Sequence, residues 1–260
     1  MRRSVKRRTV ADVPVGVLLS GGFDSSLIVA LLKELDGGPL ETFSIGFESV
    51  GDEVGEEFHY SDLVARHFGT KHHRIFVEGK TVVENIPGCI EAMSEPMVSH
   101  DVIGFYLLSR EVARHLKVVQ SGQGADEIFA GYRWYPPLLA DDGRDSVEAY
   151  RRCFFDREHR AYCESVHPRF AQEDYTRMFV SEHFSKPGAV RTIDRALRID
   201  STVMLVEDPV KRVDNMTMAF GLEGRVPFLD HEVVECAAAI PAEYKTPRGG
   251  KYVLKEAARH

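Results

Sequence analysis

Seven residues near the start of the chain, Ser20-Gly21-Gly22-Phe23-Asp24-Ser25-Ser26, combine two glycines, three hydroxyls and a carboxylate. Glycine lets a backbone turn sharply and come close to a ligand. If a helix starts at Asp24-Ser25-Ser26, its first turn turns N–H groups toward an anion such as phosphate. A carboxylate among phosphate donors repels the ligand unless a cation lies between them, so Asp24 points to a bridging magnesium ion. A second run, Ser121-Gly122-Gln123-Gly124-Ala125-Asp126-Glu127, repeats the design with carboxylates at a helix start. Asp24 and Asp126 would then share magnesium. The spacing is neither that of a Walker loop nor that of a Gly-x-Gly-x-x-Gly dinucleotide turn. The plainer alternative is a pair of turns without a ligand, with Asp126 and Glu127 serving only the helix dipole at less than about 1 kcal/mol.

Such loops need rigid elements to aim them. Residues 13–19 form a short apolar, β-branched run that reads as a buried strand ending at Ser20. Leu27, Ile28, Leu31, Leu32 and Leu35 then share one helical face, and Asp36-Gly37-Gly38-Pro39 stops that helix. The alternation continues with a strand at 42–47, an acidic loop through Glu57 and a helix at about 60–68. A strand at 73–77, helical spacing at 81–93 and 102–116, and a strand at 117–121 follow. Strands alternating with helices predict an α/β fold, a doubly wound parallel sheet with right-handed crossovers. Ligands of such sheets bind in the crevice beyond the carboxyl ends of the strands, where both glycine loops would lie. From about residue 141 the chain turns charged and aromatic without a clear strand, which predicts an added helical lobe. The expected division is an α/β core at 1–140 and a mainly helical part at 141–260 that returns to the active site.

Composition narrows the function classes. With 43% hydrophobic and 28% charged residues the chain is an ordinary globular one, and no apolar run approaches the roughly 20 residues of a membrane span. No secretory signal is recognisable, and four widely spaced cysteines without a Cys-x-x-Cys suggest reduced thiols in a cytoplasm. A net charge of −7 disfavours a general nucleic-acid binder. Five of the first eight residues are Arg or Lys, read here as the solvated face of a leading helix rather than a tag for an acidic partner. The cluster of Glu207, Asp208, Lys211, Arg212, Asp214 and Asn215 likewise reads as a solvated helix face. His72 and His73 read as a strand-start pair, because no third ligand stands at a suitable local spacing. Gly46 is a weak signal for backbone open to a nucleoside. Trp134 serves equally as a substrate wall or as core.

The segments together resemble a known family. The run 13–26 resembles the pyrophosphate loop of the N-type ATP pyrophosphatases. Thr42-Phe43-Ser44-Ile45-Gly46-Phe47-Glu48, the run from Ser121 to Glu127, Asp214-Asn215-Met216-Thr217-Met218 and Arg225-Val226-Pro227-Phe228-Leu229-Asp230 resemble the synthetase domain of asparagine synthetases. Glu95-Pro96-Met97-Val98-Ser99-His100-Asp101 is most similar to the N-acetylglutaminylglutamine amidotransferases within that family. The resemblance implies an adenine-nucleotide α-hydrolase-like sheet, ATP and Mg2+ as cofactors, and a reaction in which a carboxylate attacks the α-phosphate before ammonia displaces AMP. It implies that Ser20, Gly21, Gly22, Ser25 and Ser26 hold pyrophosphate and that Asp24 and Asp126 hold magnesium. Ile45 and Gly46 would meet the nucleoside, with Ser121 and Gly122 beside the adenylate and Gln123 among the catalytic residues. The implied partners are a small carboxylate substrate, ammonia, and a glutaminase domain or subunit. No nucleic acid or membrane is implied, and a homodimer is compatible.

Three departures qualify the resemblance. Gln123 stands where many asparagine synthetases have Glu, which favours a substrate other than aspartate. Residue 2 is Arg2, with no glutaminase nucleophile before the loop. The family's lysine is expected just past Gly250-Lys251-Tyr252-Val253-Leu254-Lys255-Glu256, beyond His260. The chain therefore reads as a fragment lacking a glutaminase domain and a tail. The alternatives are another ATP pyrophosphatase, such as a GMP or NAD synthetase, and a nucleotide-binding module without turnover. The late Arg225–Asp230 motif and the lack of a cysteine pair argue against a tRNA-thiolating enzyme.

Overall fold

A computed structural model describes residues 1–49, 58–97 and 99–259. The expected acidic loop through Glu57, Val98 of the 95–101 segment, and His260 lie outside the described residues. In chain order the first elements are α1 (Arg2–Arg7), β1 (Val15–Leu18), α2 (Phe23–Asp36), β2 (Glu41–Phe47), α3 (Phe58–Phe68) and β3 (Lys71–Val77). Next come α4 (Gly79–Glu91), α5 (Asp101–Val112), β4 (Val118–Gln120), α6 (Ala125–Phe129), α7 (Tyr135–Leu139), α8 (Ser146–Phe154) and α9 (His159–Ser165). The last are α10 (Tyr175–Ser185), α11 (Thr192–Ile199), α12 (Lys211–Met218), β5 (Glu223–Arg225), α13 (His231–Ala239) and α14 (Tyr252–Ala257). Where the sequence suggested one cut near residue 140, contacts divide the chain into two units that each use it twice. One comprises 1–124 and 206–236, the other 125–205 and 237–260.

The first unit carries a five-stranded sheet in the order β3-β2-β1-β4-β5, with every pairing parallel. This is the doubly wound α/β sheet that alternating strands and helices predict. The apolar runs bury as expected, with Val17, Leu19, Ile28, Val29 and Val119 at most 1% exposed. The α2 helix ends on Gly37 in the left-handed region, φ 61°, where a Cβ would be strained. One strand was not anticipated. Glu223-Gly224-Arg225 pairs in register with Val118-Val119-Gln120 and closes the sheet edge.

That edge strand is anchored to the start of the chain. The basic residues of α1 are not merely a solvated face. Arg8 lies 2.7 Å and Arg7 3.2 Å from the carboxylate of Asp230, which is 4% exposed, and Arg7 also reaches Glu232 at 2.6 Å. Arg225 donates to the carbonyls of Arg8 and Val10 at 2.8 and 2.9 Å, and the Ser4 hydroxyl donates to the Pro227 carbonyl at 2.5 Å. Burial pushes the Asp230 carboxyl up, but hydrogen bonds from Arg8 and Arg7 outweigh it and hold it at about 2.

The second unit is helical. Its core gathers Tyr135, Leu138, Tyr150, Phe184, Ile193 and Ala196. Buried at its centre is Asp200, whose carboxylate accepts from the Tyr150 hydroxyl at 2.5 Å, the Tyr135 hydroxyl at 2.7 Å and the Trp134 indole at 3.1 Å. Trp134 also stacks on Tyr132 with ring centroids 4.2 Å apart, so core packing accounts for it. Glu127 is 1% exposed and accepts from the Tyr132 hydroxyl at 2.7 Å. Burial pushes its carboxyl up to about 7.

Two stability measurements test these buried acids. Asp230 is depressed below its unfolded value, so its contribution is present above pH 4 and lost as pH falls toward 2. Asp230→Asn should cost about 2 kcal/mol in urea unfolding at neutral pH, with the gap to wild type closing in acid. Glu127 is raised, so its contribution is intact below its unfolded value near 4.5 and is lost as pH rises through 7. Glu127→Gln should therefore match wild type near pH 4.5 and unfold at higher temperature at pH 8. The gain should be on the order of 2–3 kcal/mol.

Candidate active site

The order β3-β2-β1-β4-β5 places the topological switch between β1 and β4, where the chain leaves one side of β1 for the other. Crevices at such switch points are where open α/β sheets bind ligands. The loop after β1 and the loop after β4 flank this one. At the first, the Ser20 hydroxyl accepts from Gly22 N–H at 3.3 Å and lies 3.1 Å from the Ser25 hydroxyl. The Ser25 and Ser26 hydroxyls donate to the Gly22 carbonyl at 3.2 and 2.7 Å. Gly21 has φ +84°, and a Cβ there would lie 2.5 Å from the Ser61 nitrogen and 2.7 Å from the Tyr60 Cβ. Only glycine permits this turn.

The first backbone bond of α2 runs from Ser26 N–H to the Gly22 carbonyl, and no side chain of the cap residue closes the turn. A fourteen-residue helix thus presents its positive end at the switch point, with Asp24 in its first turn. The loop after β4 rests on this helix start: a Cβ on Gly122 would lie 3.0 Å from Ser25 N and 3.1 Å from Asp24 Cβ. Ser121 is 3% exposed and donates its N–H to the Arg225 carbonyl at 2.8 Å. Gly124, φ +89°, leaves room for Leu229. Glycine-only backbone and a helix N-terminus make a cradle that fits a polyphosphate, and Asp24 adds a hard oxygen donor of the kind magnesium takes.

The structure thus brings Ser20, Gly21, Gly22, Asp24, Ser25, Ser26, Ser121 and Gly122 together, with the partly exposed Gln123 on the same loop. Ile45 and Gly46 lie on the neighbouring strand. The β1–β2 register ends at Leu18 and Phe43, so residues 44–47 of β2 run on past β1. Gly46 has a second reason to be glycine, because a Cβ there would lie 2.8 Å from the Phe58 ring.

Asp126 belongs to the second unit, in the first turn of α6. Its carboxylate lies 2.8 Å from the Lys251 ammonium. Lys251 has φ +55°, and its N–H donates to the Phe129 carbonyl at 3.0 Å. Gly131 and Gly250 close this junction. A Cβ on Gly131 would lie 2.0 Å from Asp126 Oδ1, and one on Gly250 would lie 2.2 Å from the Ala130 carbonyl oxygen. A lysine held in the left-handed region with its charge on an acid is a strained, directed arrangement of the kind found at functional sites. Sequence reasoning passed over Lys251. The Gly249-Gly250 pair before it was the available signal.

The cluster at 207–215 is a clamp, not a solvated face. Lys211 bridges Glu95 and Glu207, and the Arg212 side chain is 7% exposed. Arg212 donates to the Ser99 hydroxyl at 2.6 Å and lies 3.2 Å from Asp208 and 5.2 Å from the Phe105 ring centre. Beside the clamp opens a cleft of about 420 Å³ lined by Ser94, Val210, Lys211, Asp214, Asn215 and Val226.

Similarity to known proteins runs the length of the chain. The family described as asparagine synthase matches residues 1–260. Asparagine synthetase (glutamine-hydrolyzing) 1 of Bacillus subtilis (strain 168) is 29% identical over 98% of the chain and 45% of its own length. The asparagine synthetases (glutamine-hydrolyzing) of Bos taurus and Homo sapiens are each 30% identical over 97% of the chain and 37% of their own length. The chain therefore spans less than half the length of these relatives. Among solved structures, the U34-tRNA thiolase NcsA of Methanococcus maripaludis matches 92% of this chain and 78% of its own, at 12% identity and a TM-score of 0.38. Among the described residues no helix is long and apolar enough to cross a membrane. With a sheet, glycine loops and late motif of this kind, and a family match along its whole length, the chain belongs to the asparagine synthase family.

Proposed function

We propose that this chain is the synthetase part of an ATP-dependent amide-forming enzyme. The observation that carries the reading is the pair of glycine loops at the start of α2, capped by Gly22, at the β1–β4 switch point. ATP would lie with its β- and γ-phosphates against residues 20–26 and its nucleoside against the overhanging edge of β2 at Ile45 and Gly46. An oxygen of the substrate carboxylate attacks the α-phosphorus. The new O–P bond forms as the bond to pyrophosphate breaks, giving an acyl-adenylate. Ammonia then attacks the acyl carbon, an amide C–N bond forms, AMP leaves, and a proton passes to solvent.

The protein's part is position and charge. The N–H groups of the first loop are held in place before substrate arrives, so they stabilise charge growing on pyrophosphate without reorganising, and the Ser25 and Ser26 hydroxyls would turn from the Gly22 carbonyl to join them. Asp24 and Asp126 are the carboxylates proposed for magnesium, which when bound neutralises phosphate charge. Ser121 and Gly122 would stand beside the adenylate. Gln123 offers a neutral amide, which suits an acid substrate other than aspartate, and the N-acetylglutaminylglutamine amidotransferases are the proposed subgroup. The cleft beside Asn215 and Val226 lies along β5, next to Ser121, and is the proposed seat of the acid. Because the relatives are glutamine-hydrolyzing synthetases, glutamine hydrolysis is the proposed source of ammonia in the whole protein.

Pyrophosphate release from ATP with magnesium, ammonium and a panel of carboxylic acids tests the reading. Release should depend on one class of acid and yield its amide. Asp24→Ala should lower the rate by roughly 10²–10³-fold, the loss typical for a preorganised charge-stabilising group, while urea unfolding is unchanged. Tight ATP binding without pyrophosphate from any acid would instead mark a nucleotide-binding module, and an unchanged rate in Asp24→Ala would remove the loop from the mechanism.

A further inference from the structure

The amino edge of the sheet carries a second cluster that the proposed chemistry does not use. Parallel register sets Glu41 beside Lys71 and Phe43 beside His73, so these side chains share one face of the sheet. The same face receives the end of α5, where Leu108, Val112 and Leu116 pack on Phe43. His115 follows α5 on a turn whose N–H donates to the Val112 carbonyl at 2.9 Å, and so arrives over the strand ends. His73 Nε2 lies 2.7 Å from Glu41 Oε2, the His73 and His115 ring centres are 4.5 Å apart, and Phe43 stacks on His73 at 4.6 Å. One ligand atom each from Glu41, His73 and His115 lie within 4.8 Å of one another.

We propose that Glu41, His73 and His115 form a binding site for Zn2+ or a similar late first-row divalent cation. Two imidazoles and a carboxylate are the donor set such ions prefer, whereas magnesium and calcium take oxygen. Tetrahedral Zn2+ with bonds of about 2.0–2.1 Å needs its ligand atoms about 3.3 Å apart. Side-chain rotation of the exposed His115 supplies the remaining approach. Phe43 fixes the His73 ring, as the second layer of a metal site commonly does. On binding, the ion takes the place of the proton between His73 and Glu41, the neutral His73 ring carries its one proton on Nδ1, and the Lys71 ammonium (3.3 Å from Glu41, its side chain 66% exposed) swings away. Water fills the fourth position. The ion joins β2, β3 and the end of α5, roughly 10–16 Å along the strands from the glycine loop at Ser20–Gly22 at the usual strand rise, since the pairing sets Thr42 beside Val17. It is therefore separate from the magnesium proposed for catalysis and does not depend on that reading.

The test is titration of the dialysed full chain with ZnCl2 against a competing chelator, in excess magnesium. Wild type should bind one tight equivalent, with a rise in unfolding temperature, and Co2+ should give the visible bands of a tetrahedral nitrogen and oxygen site. His73→Ala and His115→Ala should each weaken binding by at least about tenfold and abolish the stabilisation. Because His115 is exposed, H115A should unfold like metal-free wild type. Asp24→Ala and His159→Ala, the latter removing the His159–Cys163 pair (3.3 Å), should bind as wild type does. Equal Zn2+ affinity in wild type and H115A, or no saturable equivalent in wild type, would overturn the proposal.

Discussion

Everything at the candidate site depends on starting α2 without a side-chain cap. A helix start that closes on its own side-chain cap satisfies its donors and has no reason to hold an anion. Here the cap is Gly22, and the hydroxyls of Ser25 and Ser26 turn back onto its carbonyl instead of covering the N–H groups. The space around the turn is kept by omission. Gly21 at φ +84° and Gly122 against Asp24 are places where one methyl group would strain the chain or push the two loops apart. Overpacking of that size typically costs about 1–3 kcal/mol. The buried β1 segment beneath, with Val17 and Leu19 at most 1% exposed, makes the cradle rigid.

The neighbouring loop is held in turn by the sheet edge. Ser121 hangs from the Arg225 carbonyl, Arg225 reaches the carbonyls of Arg8 and Val10, and Asp230 takes the guanidinium groups of Arg7 and Arg8. The first ten residues and the motif at 225–230 thus form one charged joint that sets β5 and, through it, the loop after β4. This explains how a chain of net charge −7 uses a strongly basic start: the positive charge is spent inside the fold on acidic partners. The proposed polyanion site draws on backbone donors, a helix end and the metal ions proposed with them, which need no basic surface.

The legible parts of the sequence were those governed by local pattern. Short apolar runs bounded by glycine gave β1, β2 and β4, and one-sided leucine and isoleucine spacing gave α2. Strand β5 escaped because Glu-Gly-Arg has no apolar signature; it is a strand through pairing with β4 and the pull of α1. Arg212 escaped because its composition is that of a surface, while its burial comes from partners about a hundred residues away in the chain, Ser99 and Asp101. Lys251 was visible as a residue but not as a site, since its meaning rests on a positive φ and on Asp126. His73 was set aside on spacing with His72, and Glu41 and His115 were not singled out at all. Parallel register and one helix end bring them together, and neither can be counted along the chain.

The central claim is that the cradle on α2 serves a carboxylate attacking the α-phosphorus of ATP. The most direct test is to supply the acid substrate with both carboxylate oxygens labelled by a heavy isotope and follow the label through turnover by mass spectrometry. The account predicts one labelled oxygen in AMP, one fewer in the amide product, and none in pyrophosphate. Unlabelled AMP accompanying amide formation, or label appearing in inorganic phosphate, would contradict it.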